Sequence, residues 1–252
     1  MSDTPTAGAE TPRILDAASI LLLDQTGSQP RLLMGLRRAD NVFLPNKWVF
    51  PGGRLEHDDS AMRPSSPIDA ADEAALLHGL AHDPVSGPAF AAALALAAVR
   101  ELFEETGHAL AVREGEGDDL DGVWPAFRAL RLRPALAPLR LLARAVTPPG
   151  RPRRYDTRFF LAPRQAVLEN AASADGEFTD LNWFTFGEAQ ALDLPNITRR
   201  ILTDLELGLS PSGGSAGGPA GGPGFGPVPF YYQEGEHFRR DLIPRGGGRP
   251  AA

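Results

Sequence analysis

Residues 100–107 read RELFEETG and close an alanine-rich run that begins at Ala89. The run 89–106 contains neither proline nor glycine, and its composition favours a helix. Gly107 stands where a glycine commonly ends a helix in the left-handed conformation. We therefore predict a helix over 89–106.

Three glutamates of this stretch are spaced i, i+3 and i+4, which places the carboxylates of Glu101, Glu104 and Glu105 on one helix face. Like charges at these spacings repel, and the last turn carries the negative end of the helix dipole. Each effect costs from a few tenths to about 1 kcal/mol. A hard divalent cation would turn that cost into a gain, because Mg²⁺ prefers oxygen ligands. A solvated acidic helix face is the alternative interpretation.

A second motif lies upstream, where residues 48–50 predict a short strand that Pro51, Gly52 and Gly53 end abruptly. Glycine permits a positive φ and a close approach of the backbone to a ligand or a helix. Gly52 and Gly53 are therefore candidate substrate-binding positions.

Together the two motifs resemble the box of the Nudix hydrolases, G-x5-E-x7-R-E-U-x-E-E-x-G-U, where U is a bulky aliphatic residue. The helical part matches at Arg100, Glu101, Leu102, Glu104, Glu105 and Gly107. His108 replaces the last aliphatic residue, and Asp59 stands where the first glutamate is expected. Forty residues separate Asp59 from Arg100 instead of seven, and an exposed loop tolerates such an insertion at little entropic cost.

The interrupted box resembles the Nudix branch that includes the peroxisomal coenzyme A diphosphatase. Segments on both sides of the box resemble the same branch, and the resemblance covers roughly residues 14–205. These segments are LMGLRR at 33–38, FLP at 43–45, RYDTRFF at 154–160 and EFTDLNW at 177–183, followed by Glu188-Ala189.

The resemblance implies an α/β fold, the Nudix-type α/β/α sandwich with a mixed sheet. It also implies Mg²⁺ as cofactor, with Mn²⁺ as the alternative, held by Glu101, Glu104 and Glu105. Arg100 would orient these carboxylates, as its planar donor fork allows. Glu177 is the candidate general base on a later loop, and a plain loop carboxylate is the other interpretation.

Arginines near these motifs are candidate substrate-phosphate ligands, because a guanidinium binds phosphate through two parallel hydrogen bonds. Arg37 lies beside the glycine turn, and Arg154 and Arg158 lie on a predicted strand. On that strand Asp156 shares their face, so a structural ion pair is an equal alternative.

The function implied is hydrolysis of a diphosphate linkage in a nucleoside diphosphate linked to X, with coenzyme A or acyl-coenzyme A as the leading substrate. The alternatives are ADP-ribose or a dinucleotide as substrate, or a non-catalytic Nudix-like module that only binds its ligand. Loss of box carboxylates is usual in such modules, whereas all three helical glutamates are present here.

Composition and charge exclude several classes of partner and of chemistry. The net charge of 25 − 32 = −7 argues against nucleic-acid or membrane partners and leaves a small-molecule nucleotide as the expected partner, with a homodimer open. The absence of cysteine excludes disulfides and thiolate chemistry. Without a signal-like segment or a long apolar run, we predict a cytoplasmic protein.

Along the chain we predict a flexible tail at 1–12, one domain at 13–207 with an insertion at 58–87, a Gly/Pro-rich loop at 208–227, and a tail at 228–252 that docks back on the domain. A short helix is predicted in the insertion, with Ser66 as its N-cap and its end near Gly79. Further strands are predicted at 17–24, 31–37, 139–145, 155–162 and 181–184, and further helices at 187–192 and 198–207.

Overall fold

The computed structural model describes residues 12–79, 87–169, 171, 176–209 and 226–246. Eleven strands, six α-helices and one 3-10 helix, at Arg164–Ala166, occur in these ranges. The strands are β1 Ile14–Asp24, β2 Arg31–Arg37, β3 Trp48–Val49, β4 Gly52–Arg54, β5 Ala111–Arg113, β6 Leu132–Pro134, β7 Arg140–Val146, β8 Arg154–Pro163, β9 Phe178–Thr185, β10 Val228–Glu234 and β11 His237–Ile243. The helices are α1 His57–Ala61, α2 Ala70–Leu76, α3 Pro88–Thr106, α4 Pro125–Ala129, α5 Phe186–Ala191 and α6 Asn196–Leu209.

Nine of the strands form one mixed sheet, in the order β11-β10-β7-β8-β1-β2-β3. In addition, β4 pairs with β1, and β9 pairs with β2. The pairs β1–β8 and β7–β10 are parallel, and the other pairs of this sheet are antiparallel. Strands β5 and β6 form a separate two-stranded sheet.

Two apolar layers cover the two faces of the sheet, because alternate residues of a strand point to opposite faces. On one face Ile20 and Leu22 of β1 pack with the buried side of α3, where Ala91, Ala95 and Ala98 are fully buried. On the other face Leu21 and Leu23 pack with α5 and α6. The expected α/β/α sandwich with a mixed sheet is confirmed.

Most of the longer helices and strands were predicted from the sequence pattern. The helix predicted over 89–106 is α3, and Gly107 ends it at φ 72° with its N–H donating to the Phe103 carbonyl at 2.8 Å. The predicted strands at 17–24, 31–37, 139–145, 155–162 and 181–184 correspond to β1, β2, β7, β8 and β9, with ends that differ by a few residues.

The cap of the insertion helix was predicted wrongly. Helix α2 is capped by Asp69, whose Oδ1 accepts the backbone N–H of Ala71 at 2.9 Å. Ser66 lies three residues earlier and uses its hydroxyl oxygen to accept the N–H of Ala137 at 3.1 Å. A tertiary contact therefore takes the side chain that the local pattern assigned to the cap.

Residues 228–243 form a hairpin, β10–β11, which extends the main sheet through parallel pairing of β10 with β7. The sequence pattern did not predict these two strands. Residues 1–11 of the N-terminal tail predicted at 1–12, residues 210–225 of the loop predicted at 208–227, and the chain end at 247–252 lie outside the described residues. No helix of the described ranges is both long and apolar enough to cross a bilayer.

Candidate active site

Helix α3 brings the carboxylates of its last two turns to the edge of β4. The buried side of this helix packs against β1 and β4, and near its C-terminal end Glu101 and Glu105 continue that side next to Gly52 and Gly53. Glu101 and Glu105 are buried, at 9% and 2% exposure, whereas the Glu104 side chain is 45% exposed. All three predicted glutamates thus lie in the last two turns of α3, two of them buried and one half exposed.

Arg100 uses all three of its guanidinium nitrogens in short hydrogen bonds. Its Nε and Nη2 donate to the two oxygens of Asp59 at 2.8 and 3.1 Å. Its Nη1 donates to Glu101 at 2.9 Å and to Glu104 at 3.0 Å, and Nη2 also donates to the Arg54 carbonyl at 3.0 Å. One planar guanidinium thus links the insertion, β4 and two box carboxylates.

Asp59 is completely buried, in the short helix α1 at the start of the insertion. Its Oδ2 also accepts the backbone N–H of Glu56 at 2.8 Å, so it holds the first turn of α1 as well as Arg100. Asp59 was noted in the sequence as standing in the place of the first box glutamate, but it was not among the predicted site residues. Its spacing of six residues from Gly53 was the available signal.

The two glycines of β4 approach the carboxylates closely. The Gly52 N–H donates to Glu105 Oε2 at 2.8 Å. A Cβ on Gly53 would overlap the carboxylate of Glu101, and a Cβ on Gly52 would overlap the backbone of β1 around Ala18. The carboxylate of Glu101 therefore excludes a side chain at residue 53, and the backbone of β1 excludes one at residue 52.

Gly53→Ala is expected to reduce turnover by about 10²-fold, because Glu101 must rotate away from its place beside Arg100, and a misplacement of about 1 Å has an effect of that size. Gly27→Ala is the matched control, since a Cβ there has only the Gln29 carbonyl as a neighbour, at an ordinary 3.7 Å. Steady-state kinetics and melting curves of both variants check this. A fully active Gly53→Ala enzyme would show that the position of Glu101 is not critical.

Glu177 lies beside the same carboxylates, immediately before β9. Its Oε1 is 2.5 Å from Arg37 Nη2, and Arg37 Nη1 is 4.0 Å from Glu105 Oε1. The negative charge of Glu177 contributes to raising the pKa of both Glu101 and Glu105. Arg37 and Glu177, which are 140 residues apart in the chain, thus join the box glutamates in one cluster.

The carboxylates of this cluster bring negative charges together in a buried environment. Burial raises the pKa of Glu101 to about 7, with further contributions from Glu104 and Glu177 and opposition from Arg100. Burial and the charge of Glu101 raise the pKa of Glu105 well above its usual value. Because the folded-state pKa of Glu101 exceeds the unfolded value, its contribution to the free energy of unfolding is greatest below about pH 4.5 and is lost as pH rises through about 7.

The donor set fits a hard divalent cation. Glu105 Oε1 is buried and finds no hydrogen-bond partner among the described residues, although the other oxygen of the same carboxylate accepts the Gly52 N–H. In the described part of the chain, no three acidic or histidine side chains stand in an arrangement that would by themselves hold a metal ion. Mg²⁺ usually takes only one or two carboxylates and completes its shell with water and substrate phosphates, so these residues remain suitable ligands.

Arg154 and Arg158, which were predicted as phosphate ligands, are not in contact with the carboxylate cluster in the described residues. Arg158 is 1% exposed and pairs with Asp16 at 2.5 Å and with Asp156 at 3.3 Å, and Asp156 is also paired to Arg144. Arg154 donates to the Thr147 carbonyl at 3.1 Å. The described contacts do not join either arginine to the box carboxylates. Arg158 is therefore a structural ion-pair residue, and its burial prevents contact with a substrate phosphate.

Comparison with known proteins supports the resemblance found in the sequence. Neither the protein-family models nor the curated proteins include a match to this chain. Among solved structures, the chain is similar to a NUDIX hydrolase from Alicyclobacillus acidocaldarius, with 26% identity and a TM-score of 0.55 over 76% of this chain and 90% of the other. It is also matched by a MutT protein from Methanosarcina mazei Go1 (13% identity, TM-score 0.44, 78% and 95% covered) and a MutT NUDIX hydrolase from Burkholderia pseudomallei (13%, 0.42, 76% and 97%).

The fold is an α/β sandwich with a mixed sheet, and α3 carries the box carboxylates. The similarity to the Alicyclobacillus protein, together with the box residues on α3, supports placement of the chain in the Nudix superfamily.

Proposed function

We propose that this protein hydrolyses a diphosphate linkage in a nucleoside diphosphate linked to X, with Mg²⁺ as cofactor. The observation that carries the proposal is the position of Glu101, Glu104 and Glu105, which Arg100 and the Gly52 N–H hold at one end of α3. Buried carboxylates with raised pKa values are costly unless a cation or proton compensates them, and a divalent cation with a polyphosphate provides that compensation.

When bound, Mg²⁺ would neutralise charge on the diphosphate, orient it and lower the pKa of the attacking water. Arg100 fixes Glu101 and Glu104 through hydrogen bonds to both, and the Gly52 N–H fixes Glu105. Glu177 is the proposed general base, because it is a carboxylate beside the cluster whose side chain is 32% exposed and thus reachable by water. Arg37 orients it through the contact at 2.5 Å.

Coenzyme A or acyl-coenzyme A is the proposed substrate within this class. The support is the sequence resemblance to the interrupted-box branch, in which an insertion separates the glycine turn from the catalytic helix. In the fold this insertion supplies α1 and α2, and both contact α3. The expected products from coenzyme A are 3′,5′-ADP and a phosphopantetheine compound.

Binding of Mg²⁺ should weaken as pH falls from 8 to 6, because a carboxylate must lose its proton before it binds a metal. With the pKa of Glu101 raised to about 7, the expected loss of affinity is about tenfold. Calorimetry of Mg²⁺ binding in two buffers of different ionisation enthalpy would detect the released proton. The pH dependence should become weaker in Glu101→Gln, where only Glu105 keeps a raised pKa, and an affinity that does not change across this range in the wild type would contradict the assignment.

The proposal is tested by hydrolysis of coenzyme A, acetyl-coenzyme A, ADP-ribose, NADH and diadenosine polyphosphates, with Mg²⁺ and with EDTA. Glu104→Gln is measured beside Glu206→Gln, a matched change at an exposed position of α6 away from the site. We expect Mg²⁺-dependent release of 3′,5′-ADP from coenzyme A that Glu104→Gln loses and Glu206→Gln retains.

The other outcomes assign different functions. Preferential hydrolysis of ADP-ribose or of a dinucleotide would keep the enzyme class and replace the substrate. Tight binding of one compound without any turnover would replace the enzyme by a ligand-binding module.

A further inference from the structure

Strand β11 forms one edge of the main sheet, and within the described residues it pairs with β10 alone. Six of its seven residues are exposed, and the seventh, Ile243, is buried. An exposed edge strand presents a row of backbone N–H and C=O groups to any other strand that approaches it. This edge is therefore a candidate surface for pairing between chains.

Exposed apolar side chains accompany this edge. Phe238 and Leu242 of β11 are 56% and 54% exposed, and Leu207 of α6 is 62% exposed. Phe238, Arg240 and Leu242 alternate along the strand and so share one face, which is the α6 side because Arg240 donates to Asp204 at 3.1 Å. Of the seven large apolar side chains that are exposed in the described residues, Phe238 and Leu242 lie on this face, and Leu207 follows Asp204 by about one helical turn. A partner that covers them would gain apolar burial.

The sequence of β11, HFRRDLI, is complementary to itself about its central residue, Arg240. If two copies pair antiparallel with a two-fold axis at Arg240, Phe238 lies opposite Leu242 and Arg239 lies opposite Asp241, each twice. Moving the axis by one residue, to Arg239, would place Phe238 opposite Arg240. The apolar and charged matches therefore select one register.

Charged residues on an edge strand normally oppose pairing. In this register, however, Arg239 meets Asp241 of opposite charge, and Arg240 on the axis is already paired with Asp204 of its own chain. We propose that two copies of this chain associate through antiparallel pairing of β11 with β11 about Arg240, which would join the two sheets into one. Because a single strand pair is a small interface, we expect a dissociation constant in the micromolar range.

A charge exchange tests the register. Arg239→Asp and Asp241→Arg each place like charges opposite one another at two symmetric positions, so each should raise the dissociation constant by about tenfold. The double variant Arg239→Asp/Asp241→Arg recreates both opposite-charge pairs in reverse and should restore association. Sedimentation equilibrium over a wide range of protein concentrations measures the three variants against the wild type.

A cysteine cross-link tests the position of the axis independently, and the cysteine-free chain gives it a clean background. Paired antiparallel residues have Cα atoms roughly 4.5–5.5 Å apart, which suits a disulfide, so Arg240→Cys should form a covalent dimer on oxidation. His237→Cys is the matched control in the same strand, because its two copies would lie roughly 20 Å apart.

Covalent dimers of Arg240→Cys alone, together with rescue by the double charge exchange, would establish the pairing. A wild-type chain that stays monomeric at about 0.5 mM, well above the micromolar range, would overturn it. A dimer that is insensitive to the charge variants, or equal cross-linking of both cysteine variants, would also overturn it. None of these measurements depends on the proposed hydrolase activity.

Discussion

Glu105→Gln is expected to abolish Mg²⁺-dependent hydrolysis while making the metal-free protein more stable. Glu105 is 2% exposed, and burial together with the charge of Glu101 raises its pKa well above the usual value. A neutral amide of the same shape removes the unfavourable charge and can still accept the Gly52 N–H. Loss of a metal-binding carboxylate removes several kcal/mol of transition-state stabilisation, which corresponds to about 10³-fold or more in rate.

The stability gain should depend on pH in a defined direction. The raised pKa means that the wild-type carboxyl is protonated at low pH, where the two proteins should be nearly equal, and is forced toward the charged form as pH rises. At pH 8 without metal, we expect Glu105→Gln to gain about 0.5–2 kcal/mol in free energy of unfolding, as removal of functional strain commonly gives.

Chemical denaturation at pH 5 and pH 8, with EDTA, measures this gain, and Glu206→Gln serves as the control for glutamine substitution at a remote site. Activity of Glu105→Gln within tenfold of the wild type would remove Glu105 from the metal site. A lower stability at pH 8 would show that the buried charge is needed for folding.

The parts of the fold that follow from local sequence were predictable. Helix α3 was predicted from its alanine-rich composition and from Gly107, whose φ of 72° few other residues adopt readily. Helix α1 was not predicted, because its five residues depend on Asp59, which is stabilised by Arg100 at 41 positions further along the chain. Strand β11 was missed because six of its seven residues are exposed at the sheet edge, so no apolar run reveals it.

In the candidate site, too, the features set by local sequence were predictable, and those set by tertiary contacts were not. The common face of the three glutamates follows from helix geometry alone, whereas the contact of Arg37 with Glu177 requires β2 and β9 to lie side by side. The environment of Arg158 depended on two strands that flank β8, since Asp16 comes from β1 and Arg144, which holds Asp156, comes from β7. Sequence alone therefore left phosphate binding and ion pairing as equal alternatives for this residue.

Arg100→Ala is expected to destabilise the protein strongly, because it leaves the carboxylate of Asp59 buried without its cation. Asp59 is completely inaccessible to solvent, and both of its oxygens accept from Arg100. Removing one partner of a buried ion pair costs about 3–5 kcal/mol, and a domain of this size loses about 2–4 °C in melting temperature for each kcal/mol. We therefore expect a decrease on the order of 10 °C, measured by thermal denaturation.

The double variant Arg100→Met/Asp59→Leu separates the folding role of Arg100 from its role in the site. Replacing both members of a buried ion pair by apolar residues of similar volume is often neutral, so much of the lost stability should return. Activity should not return, because Glu101 and Glu104 lose the guanidinium that positions them at 2.9 and 3.0 Å. Recovery of turnover together with stability would mean that Arg100 serves only the fold. Recovery of stability alone would mean that one arginine anchors the insertion to α3 and, through different nitrogens, sets the geometry of the carboxylates.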